Sequence, residues 1–234
     1  MKLLVSVVSP EEAKVALSAG IDILDIKNPE EGSLGASFPW IVEDILKISE
    51  GTEVSAAIGD FDFKPGLASL ASYSLSKLGV KYVKIGFYKI KTKKQALKLG
   101  KSVIRALNDS HGVFAAYADY KNIGSISPFE IIEVGEECGA SIVMIDTINK
   151  RGKNLLNYMS MEDLKIFVDT SHEKGLKVAL AGSLDRYSIA MLKKINPDIV
   201  GVRGAVCEGR KRTNFISRER IIELKNLCQN HSFL

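Results

Sequence analysis

The chain has 234 residues, of which 46% are hydrophobic and 26% are charged, which is typical of a single globular domain. The net charge of +4 comes from basic residues spread along the chain, which argues against a nucleic-acid-binding stripe and fits a small anionic substrate. Three cysteines and three histidines are scattered without a CxxC pair, which argues against a disulfide framework and a protein metal site. No apolar run approaches the roughly 20 residues of a membrane span. We therefore expect a cytoplasmic protein that binds neither membranes nor nucleic acid.

Short apolar runs rich in β-branched residues recur along the chain and predict eight β-strands. They cover residues 3–8, 21–26, 53–58, 82–87, 113–118, 141–145, 177–181 and 199–202. Between them, seven helices are predicted from apolar periodicity and end signals such as Pro10 at the start and Gly20 at the end of the first. The helices cover residues 10–20, 67–78, 93–107, 128–138, 161–174, 185–195 and 218–230.

Strands that alternate with helices predict a parallel sheet with right-handed crossovers. At this chain length the sheet is expected to close into a TIM (β/α)8 barrel, which would be one catalytic domain over residues 1–234. The alternative is an open doubly wound sheet, which would carry a glycine-rich turn after its first strand. The chain has Ser9-Pro10-Glu11 at that place, which favours the barrel.

The second predicted strand ends with two charges in an apolar setting. Asp25 and Lys27 are two residues apart, so their side chains point to the same face of the strand. Leu24 and Ile26 are apolar on the opposite face, as in a strand that is covered on both sides. The carboxyl ends of barrel strands carry catalytic groups. A desolvated lysine beside a carboxylate is a candidate amine for attack on a carbonyl.

Two further charges occupy comparable positions. Lys84 lies between apolar residues in the fourth predicted strand, and Asp146 follows the sixth. Because alternate strands supply the same layer of a barrel interior, these groups are expected to meet Asp25 and Lys27. Burial next to a second cation favours the neutral amine, so Lys84 could serve as a general base. Alternatively, Lys84 points outward between helices, and the two aspartates merely cap the loops that follow them.

The ends of the last two strands suggest a phosphate site. Gly182 and Ser183 follow the seventh predicted strand, and Arg203 and Gly204 follow the eighth. Small residues at these places allow backbone N–H groups to point at an anion, as in many barrel phosphate sites. The alternative is that the glycines only form turns.

Two loops could act as lids. The loop after the sixth strand places the cations Lys150, Arg151 and Lys153 around a glycine, so it could hold a second phosphate. A solvated charged loop explains the same composition. The glycine-rich loop at 28–36, after the second strand, resembles a second lid.

Several motifs of the chain resemble the (5-formylfuran-3-yl)methyl phosphate synthase family, and the resemblance covers nearly the whole chain. The matching segments are Asp22-Ile23-Leu24-Asp25-Ile26-Lys27-Asn28-Pro29, Glu31-Gly32-Ser33-Leu34-Gly35-Ala36, Val83-Lys84-Ile85-Gly86-Phe87, Tyr117-Ala118-Asp119-Tyr120 and Ala181-Gly182-Ser183-Leu184.

This resemblance implies a TIM-barrel lyase of methanofuran biosynthesis. Such an enzyme converts two molecules of glyceraldehyde 3-phosphate into 4-(hydroxymethyl)-2-furancarboxaldehyde phosphate and releases phosphate and water. The family's Schiff-base lysine falls on Lys27 and its proton acceptor on Lys84. Its supporting residues fall on Asp25, Asp146 and Lys150. The implied chemistry requires no metal or redox cofactor.

Two other functions remain open at this point. A class I aldolase or phosphosugar isomerase acting on triose phosphates would use the same lysine and phosphate site. A non-catalytic phosphometabolite-binding protein would form no covalent adduct. Because barrel enzymes often assemble, we also expect a homo-oligomer.

Overall fold

The computed structural model describes residues 1–150 and 152–229. Arg151, one of the three cations predicted in the loop after the sixth strand, lies outside the described residues. Asn230, the last residue of the final predicted helix, also lies outside them.

Eight parallel strands form a closed barrel in which each strand pairs with the next and the last pairs with the first. The strands are β1 (Lys2–Val7), β2 (Ile23–Ile26), β3 (Glu53–Phe61), β4 (Tyr82–Phe87), β5 (His111–Tyr117), β6 (Ile142–Asp146), β7 (Lys177–Leu180) and β8 (Ile199–Val202). The pairing of Lys2 in β1 with Ile199 in β8 closes the ring. The predicted TIM barrel is confirmed, and the open sheet is excluded.

Helices surround the barrel. They are α1 (Pro10–Ser18), α2 (Pro39–Ile48), α3 (Pro65–Leu78), α4 (Lys93–Ile104), α5 (Tyr120–Ile123), α6 (Pro128–Cys138), α7 (Met161–Glu173), α8 (Arg186–Lys193) and α9 (Arg218–Gln229). Short 3-10 turns occur at Leu155–Asn157, Gly204–Val206 and Glu208–Arg210. Neither α2 nor the four-residue α5 was predicted. The signals for α2 were Pro39 in its first turn and the spacing of Val42 and Ile45, which are its buried residues.

Helix starts are defined by side chains that accept hydrogen bonds from the first turn. This occurs at Ser9, Thr92, Ser127, Ser160 and Asp185. Such caps satisfy backbone N–H groups that have no partner inside the helix. They also set where each loop at the carboxyl ends of the strands finishes, and these loops surround the candidate site.

The barrel has an apolar interior below its carboxyl-terminal mouth. The interior cluster is built from Leu4, Ile23, Leu34, Ala57, Tyr82, Val113, Ala115, Ile142, Met144, Ala179, Ala181 and Ile199. Most of these residues come from strands, but Leu34 enters from the loop after β2 and is fully buried. Charged side chains in the layer above therefore pack on apolar side chains. Among the described residues, no helix is long and apolar enough to cross a membrane.

Candidate active site

The four charged residues predicted to meet do lie together at the mouth of the barrel. They line one cavity of about 440 Å³. The four are Asp25, Lys27, Lys84 and Asp146. Each is nearly inaccessible to solvent, with an exposure between 0% and 8%. The alternative of an outward-pointing Lys84 is excluded. Even strands β2, β4 and β6 supply the cluster, as the layering of barrel interiors requires.

Asp25 holds Lys84 at the centre of the cavity. One carboxylate oxygen of Asp25 accepts a hydrogen bond from Lys84 Nζ at 2.7 Å, and the other accepts one from Ser6 Oγ at 2.8 Å. Burial by itself raises the pKa of Asp25, but the charges of Lys84 and Lys27 and the two hydrogen bonds outweigh it. The pKa of Asp25 is therefore lowered, and the carboxylate is ionised at neutral pH.

Lys27 differs from Lys84 in its surroundings. Burial lowers the pKa of Lys27 to about 8, with Asp146 and Asp25 opposing this effect and Lys84 and Lys150 adding to it. Among the described residues, the Lys27 amine forms no hydrogen bond or ion pair. A free amine with a pKa near 8 is neutral in roughly a tenth of molecules at pH 7. Lys27 is therefore the amine in this cavity best suited to attack a carbonyl.

Asp146 joins the loops above β2 and β6 to the cluster. It accepts hydrogen bonds from Lys150 Nζ at 2.6 Å, from the Thr147 N–H at 2.7 Å and from Ser33 Oγ at 3.1 Å. Burial by itself raises the pKa of Asp146, but the charges of Lys150 and Lys27 and the hydrogen bonds lower it to about 2. The carboxylate therefore stays ionised and provides a fixed negative charge near Lys27.

The backbone turns that follow β7 and β8 both line the cavity. Gly182 has φ of 110° and Ser183 has φ of 52°, both in the left-handed region. A Cβ at Gly182 would lie 2.9 Å from Thr147 Cγ2, so glycine is required by close packing as well. The N–H groups of Gly182 and Ser183 donate no hydrogen bond within residues 1–150 and 152–229. With Gly204 in the same cavity wall, this turn can accept an anion.

Arg203 lines the cavity, but its guanidinium is fully engaged in contacts within the protein. It forms a buried ion pair with Glu12, in which both carboxylate oxygens of Glu12 accept hydrogen bonds. Its remaining N–H groups donate to the backbone carbonyls of Ser6, Arg212 and Asn214. All five N–H donors of an arginine are thereby occupied. The structure therefore gives the side chain of Arg203 a supporting role under the loop after β8, and leaves it no donor for phosphate.

The loop after β6 contributes fewer cations to the cavity than its composition suggested. Lys150 lines the cavity, where it donates to Asp146 and to Thr147 Oγ1. Lys153 lies instead over the ring of Tyr158, 5.5 Å from its centroid, and is not among the residues that line the cavity. Across the described residues, no group of three or more His, Cys, Asp or Glu side chains is arranged to hold a metal ion.

Comparison with known proteins identifies the family. The family model described as 4-HFC-P synthase matches residues 3–225. The chain belongs to this family. It is 45% identical to the (5-formylfuran-3-yl)methyl phosphate synthase of Methanosarcina barkeri over 98% of this chain and 100% of that protein. It is also 45% identical to the synthase of that name from Methanocaldococcus jannaschii, over 98% of this chain and 100% of that protein. The chain is thus related to enzymes over its full fold.

Solved structures show the same barrel at much lower identity. The chain resembles a 3-hexulose-6-phosphate synthase with a TM-score of 0.66 and 16% identity, covering 97% of this chain and 99% of that one. It also resembles phosphoribosyl anthranilate isomerase from Thermus thermophilus, with a TM-score of 0.65 and 13% identity, covering 97% of this chain and 98% of that one. At these identities the likeness concerns the fold alone.

In this member of the 4-HFC-P synthase family, the sequence interpretation missed the contribution of the loop after β8. The cavity is also lined by Arg210, Lys211, Arg212 and Thr213. The available signal was the run of three basic residues shortly after the last strand. The path of this loop could not be predicted from the sequence, because it depends on two 3-10 turns and on the Arg203–Glu12 ion pair, which fold the loop back over the barrel mouth.

Asp60 and Tyr117, at the ends of β3 and β5, fix the loop after β2. Asp60 accepts hydrogen bonds from the backbone N–H groups of Ser33 at 2.7 Å and Leu34 at 3.2 Å. The buried hydroxyl of Tyr117 donates to the other oxygen of Asp60. The loop predicted as a second lid is thus held in place across the mouth, with Leu34 inserted into the apolar interior.

Proposed function

We propose that this chain condenses two molecules of glyceraldehyde 3-phosphate into 4-(hydroxymethyl)-2-furancarboxaldehyde phosphate through a Schiff base on Lys27. The observation that carries the proposal is the buried amine of Lys27, which has no hydrogen-bond or ion-pair partner among the described residues and whose pKa is lowered to about 8 beside Lys84 in the cavity at the barrel mouth. The names of the full-length relatives support the same product, because (5-formylfuran-3-yl)methyl phosphate is the furan phosphate that this reaction forms.

The atoms of the proposed reaction balance without an oxidant or reductant. Two triose phosphates yield one furan phosphate, one inorganic phosphate and two water molecules. One carbon–carbon bond joins the trioses, one carbon–oxygen bond closes the ring, and one phosphate ester is cleaved. The active site must therefore move protons and stabilise charge, which side chains alone can do.

Lys27 begins the chemistry in this proposal. Its neutral amine attacks the aldehyde carbonyl of one triose phosphate, and loss of water from the carbinolamine gives an iminium. The positive iminium makes the hydrogen on the adjacent carbon acidic. Lys84 lies in the same cavity and hydrogen-bonds to Asp25, so it is positioned to remove or return that proton. Hydrolysis of the final iminium returns Lys27 to its starting state.

The two aspartates act by charge in this scheme. Asp146 has a pKa of about 2, so it is a poor proton carrier at neutral pH and serves instead as a counter-ion for the iminium. Asp25 holds Lys84 in place through a hydrogen bond of 2.7 Å. Charges that are already oriented need no rearrangement when the iminium forms, which lowers the barrier.

One phosphate of the substrate is assigned to the turns after β7 and β8. The backbone N–H groups of Gly182, Ser183 and Gly204 would hold it, and Lys150 adds a positive charge in the same cavity. Arg203 supports this wall through Glu12. Lys153 is not part of this proposed phosphate site, because its ammonium lies over the ring of Tyr158.

The test is incubation of the purified protein with glyceraldehyde 3-phosphate. We expect a furan aldehyde chromophore and inorganic phosphate in equal amounts, and borohydride trapping with peptide mass spectrometry is expected to place a reduced adduct on Lys27. Lys27→Arg keeps the charge but forms no iminium readily, so turnover should be lost while the fold remains. Lys165→Arg, the same change at an exposed ion pair on α7, is the matched control and should retain turnover. An active Lys27→Arg would contradict the proposal and make Lys84 the next nucleophile.

The same cavity also suits a class I aldolase or a phosphosugar isomerase, because these enzymes need the same lysine and phosphate site. Formation of dihydroxyacetone phosphate or of a sugar phosphate, with no furan and no free phosphate, would favour that function instead. The homo-oligomer stays a prediction, which analytical ultracentrifugation would check.

A further inference from the structure

We propose that Arg212 binds the phosphate of the second triose phosphate, in an anion subsite separate from the backbone N–H groups of the turns after β7 and β8. The identity of this ligand rests on the proposed function. The subsite itself rests on the position and the free donors of one arginine.

Arg212 crosses the mouth of the barrel. It belongs to the loop after β8, yet its Nη2 donates hydrogen bonds to the backbone carbonyls of Pro29 at 3.2 Å and Gly32 at 2.7 Å. Both acceptors are in the loop after β2. β2 is separated from β8 by β1 and from β7 by two strands. The guanidinium therefore links the loops after β8 and β2, and neither of these loops contains Gly182 and Ser183.

Three of the five N–H groups of the Arg212 guanidinium have no hydrogen-bond partner among the described residues. Arg212 lines the cavity, and in the described part of the chain its Nε and Nη1 donate no hydrogen bond. These two nitrogens carry three N–H groups in one plane, which matches the oxygen spacing of a phosphate. Arg203 offers the contrast, since the same group on the same loop has every donor occupied.

Arg212 is also close to the reacting groups. Burial lowers its pKa, whereas the charges of Asp146 and Asp60 act in the opposite direction. The loop that Arg212 holds places Ser33 against Asp146, at 3.1 Å between Oγ and Oδ2. Because Arg212 and Lys27 line the same cavity, a phosphate bound to Arg212 would belong to a triose whose carbons share that cavity with the adduct on Lys27. A bound phosphate would also neutralise the charge of Arg212, because the carboxylates of Asp146 and Asp60 already accept hydrogen bonds from other side chains.

A purely structural role for Arg212, as a link between two loops, is the competing explanation. Arg212→Gln separates the two roles, because the glutamine amide can still donate to a loop carbonyl but carries no charge. Arg212→Lys keeps the charge and loses the planar fork. Arg218→Gln is the matched control, since Arg218 is an exposed arginine that also donates to a backbone carbonyl, that of Ser18.

Kinetics with glyceraldehyde 3-phosphate provide the first test. Loss of a charge-assisted phosphate contact should raise the substrate concentration for half-maximal furan formation by about 10- to 100-fold in Arg212→Gln. The rise should be smaller in Arg212→Lys and absent in Arg218→Gln. The concentration dependence of the borohydride-trapped adduct on Lys27 should not change, because the first triose uses the other subsite. Equal effects on trapping and on furan formation would overturn the proposal.

Inorganic phosphate tests the subsite without any turnover. Crystals soaked in phosphate should show one ion at Gly182 and Ser183 and a second ion on Nε and Nη1 of Arg212, with the second ion lost in Arg212→Gln. No ion at Arg212 in the unaltered protein, together with unchanged kinetics in Arg212→Gln, would refute the proposal. If the protein makes no furan but binds phosphate at Arg212, the proposed function fails and the subsite stands.

Discussion

The barrel carries a carboxylate between two lysines at each of its two ends. At the mouth, Asp25 pairs with Lys84 and interacts with Lys27. At the base, Glu53 pairs with Lys2 at 2.8 Å and with Lys81. The residue types are the same, but Asp25 is fully buried whereas the side chain of Glu53 is 23% exposed and its two lysines are about half exposed.

This difference in solvent exposure separates a reactive cluster from a structural one. Burial opposes ionisation of Glu53, but hydrogen bonds from its two lysines prevail and lower its pKa to about 2. Those lysines remain hydrated. At the mouth, burial dominates for Lys27 and lowers its pKa to about 8. A carbonyl nucleophile needs a neutral amine, so chemistry is expected only at the mouth.

Removing Lys84 should have the largest effect on stability. Lys84→Met leaves the buried carboxylate of Asp25 without its hydrogen-bonded cation, so we expect the free energy of unfolding to fall by about 3–5 kcal/mol in urea denaturation. The double variant Asp25→Asn with Lys84→Met removes both charges and should recover part of the loss. A double variant that is no more stable than Lys84→Met would show that the unpaired carboxylate is not the cause.

Removing Lys27 should act in the opposite direction. Its pKa is lowered from 10.5 to about 8 on folding, so the protonated amine destabilises the fold at every pH below 8. Lys27→Met should therefore raise the free energy of unfolding at pH 7 by up to about 3 kcal/mol. The gain should shrink as pH rises from about 8 to 10.5. Above this interval it should vanish, because the Lys27 amine is then neutral in both the folded and the unfolded protein. A Lys27→Met protein that is less stable at pH 7 would contradict the assignment.

The pH dependence of adduct formation should report the charges around Lys27. The rate of borohydride-trapped adduct should rise with pH through about 8, as the amine becomes neutral. Asp146 favours the protonated amine and Lys150 disfavours it. Asp146→Asn should therefore move the midpoint to lower pH, and Lys150→Met should move it to higher pH. Shifts in the same direction would show that these charges do not control the amine.

The base of the barrel should give the smallest effect. Glu53→Gln removes two partly exposed ion pairs, so the free energy of unfolding should fall by at most about 1 kcal/mol at pH 7. The pKa of Glu53 is lowered on folding from 4.5 to about 2, so the difference from the unaltered protein should disappear as pH falls through this interval. The kcat/KM should not change, and a loss of activity would show that the two ends are coupled.

Much of this fold was predictable because its signals are local. Strands covered on both faces read as short apolar runs, and helices that begin with Pro10 or Pro128 and end before a glycine carry their own boundaries. Helix α2 was missed although Pro39 and the spacing of Val42 and Ile45 are local signals of the same kind; it directly follows the loop that was interpreted as a glycine-rich lid.

The charged core of the site was also predictable by position. The two-residue period of a strand places Asp25 and Lys27 on one face, and alternate strands bring Lys84 and Asp146 to the same layer. These are consequences of backbone geometry, so they hold whatever the loops do.

The roles of the loop cations depend on tertiary contacts. Arg203 and Arg212 occur nine positions apart in one loop, and nothing in their local sequence says which guanidinium will meet a buried carboxylate. Arg203 forms an ion pair with Glu12 on α1. Arg212 instead donates to backbone carbonyls of the loop after β2, and its other N–H groups have no acceptor among the described residues. The barrel and the cluster of lysines and aspartates could be inferred from the order of residues alone, because both follow from backbone periodicity. Which cations remain free to bind a substrate depends on contacts between distant segments, and those exist only in the folded chain.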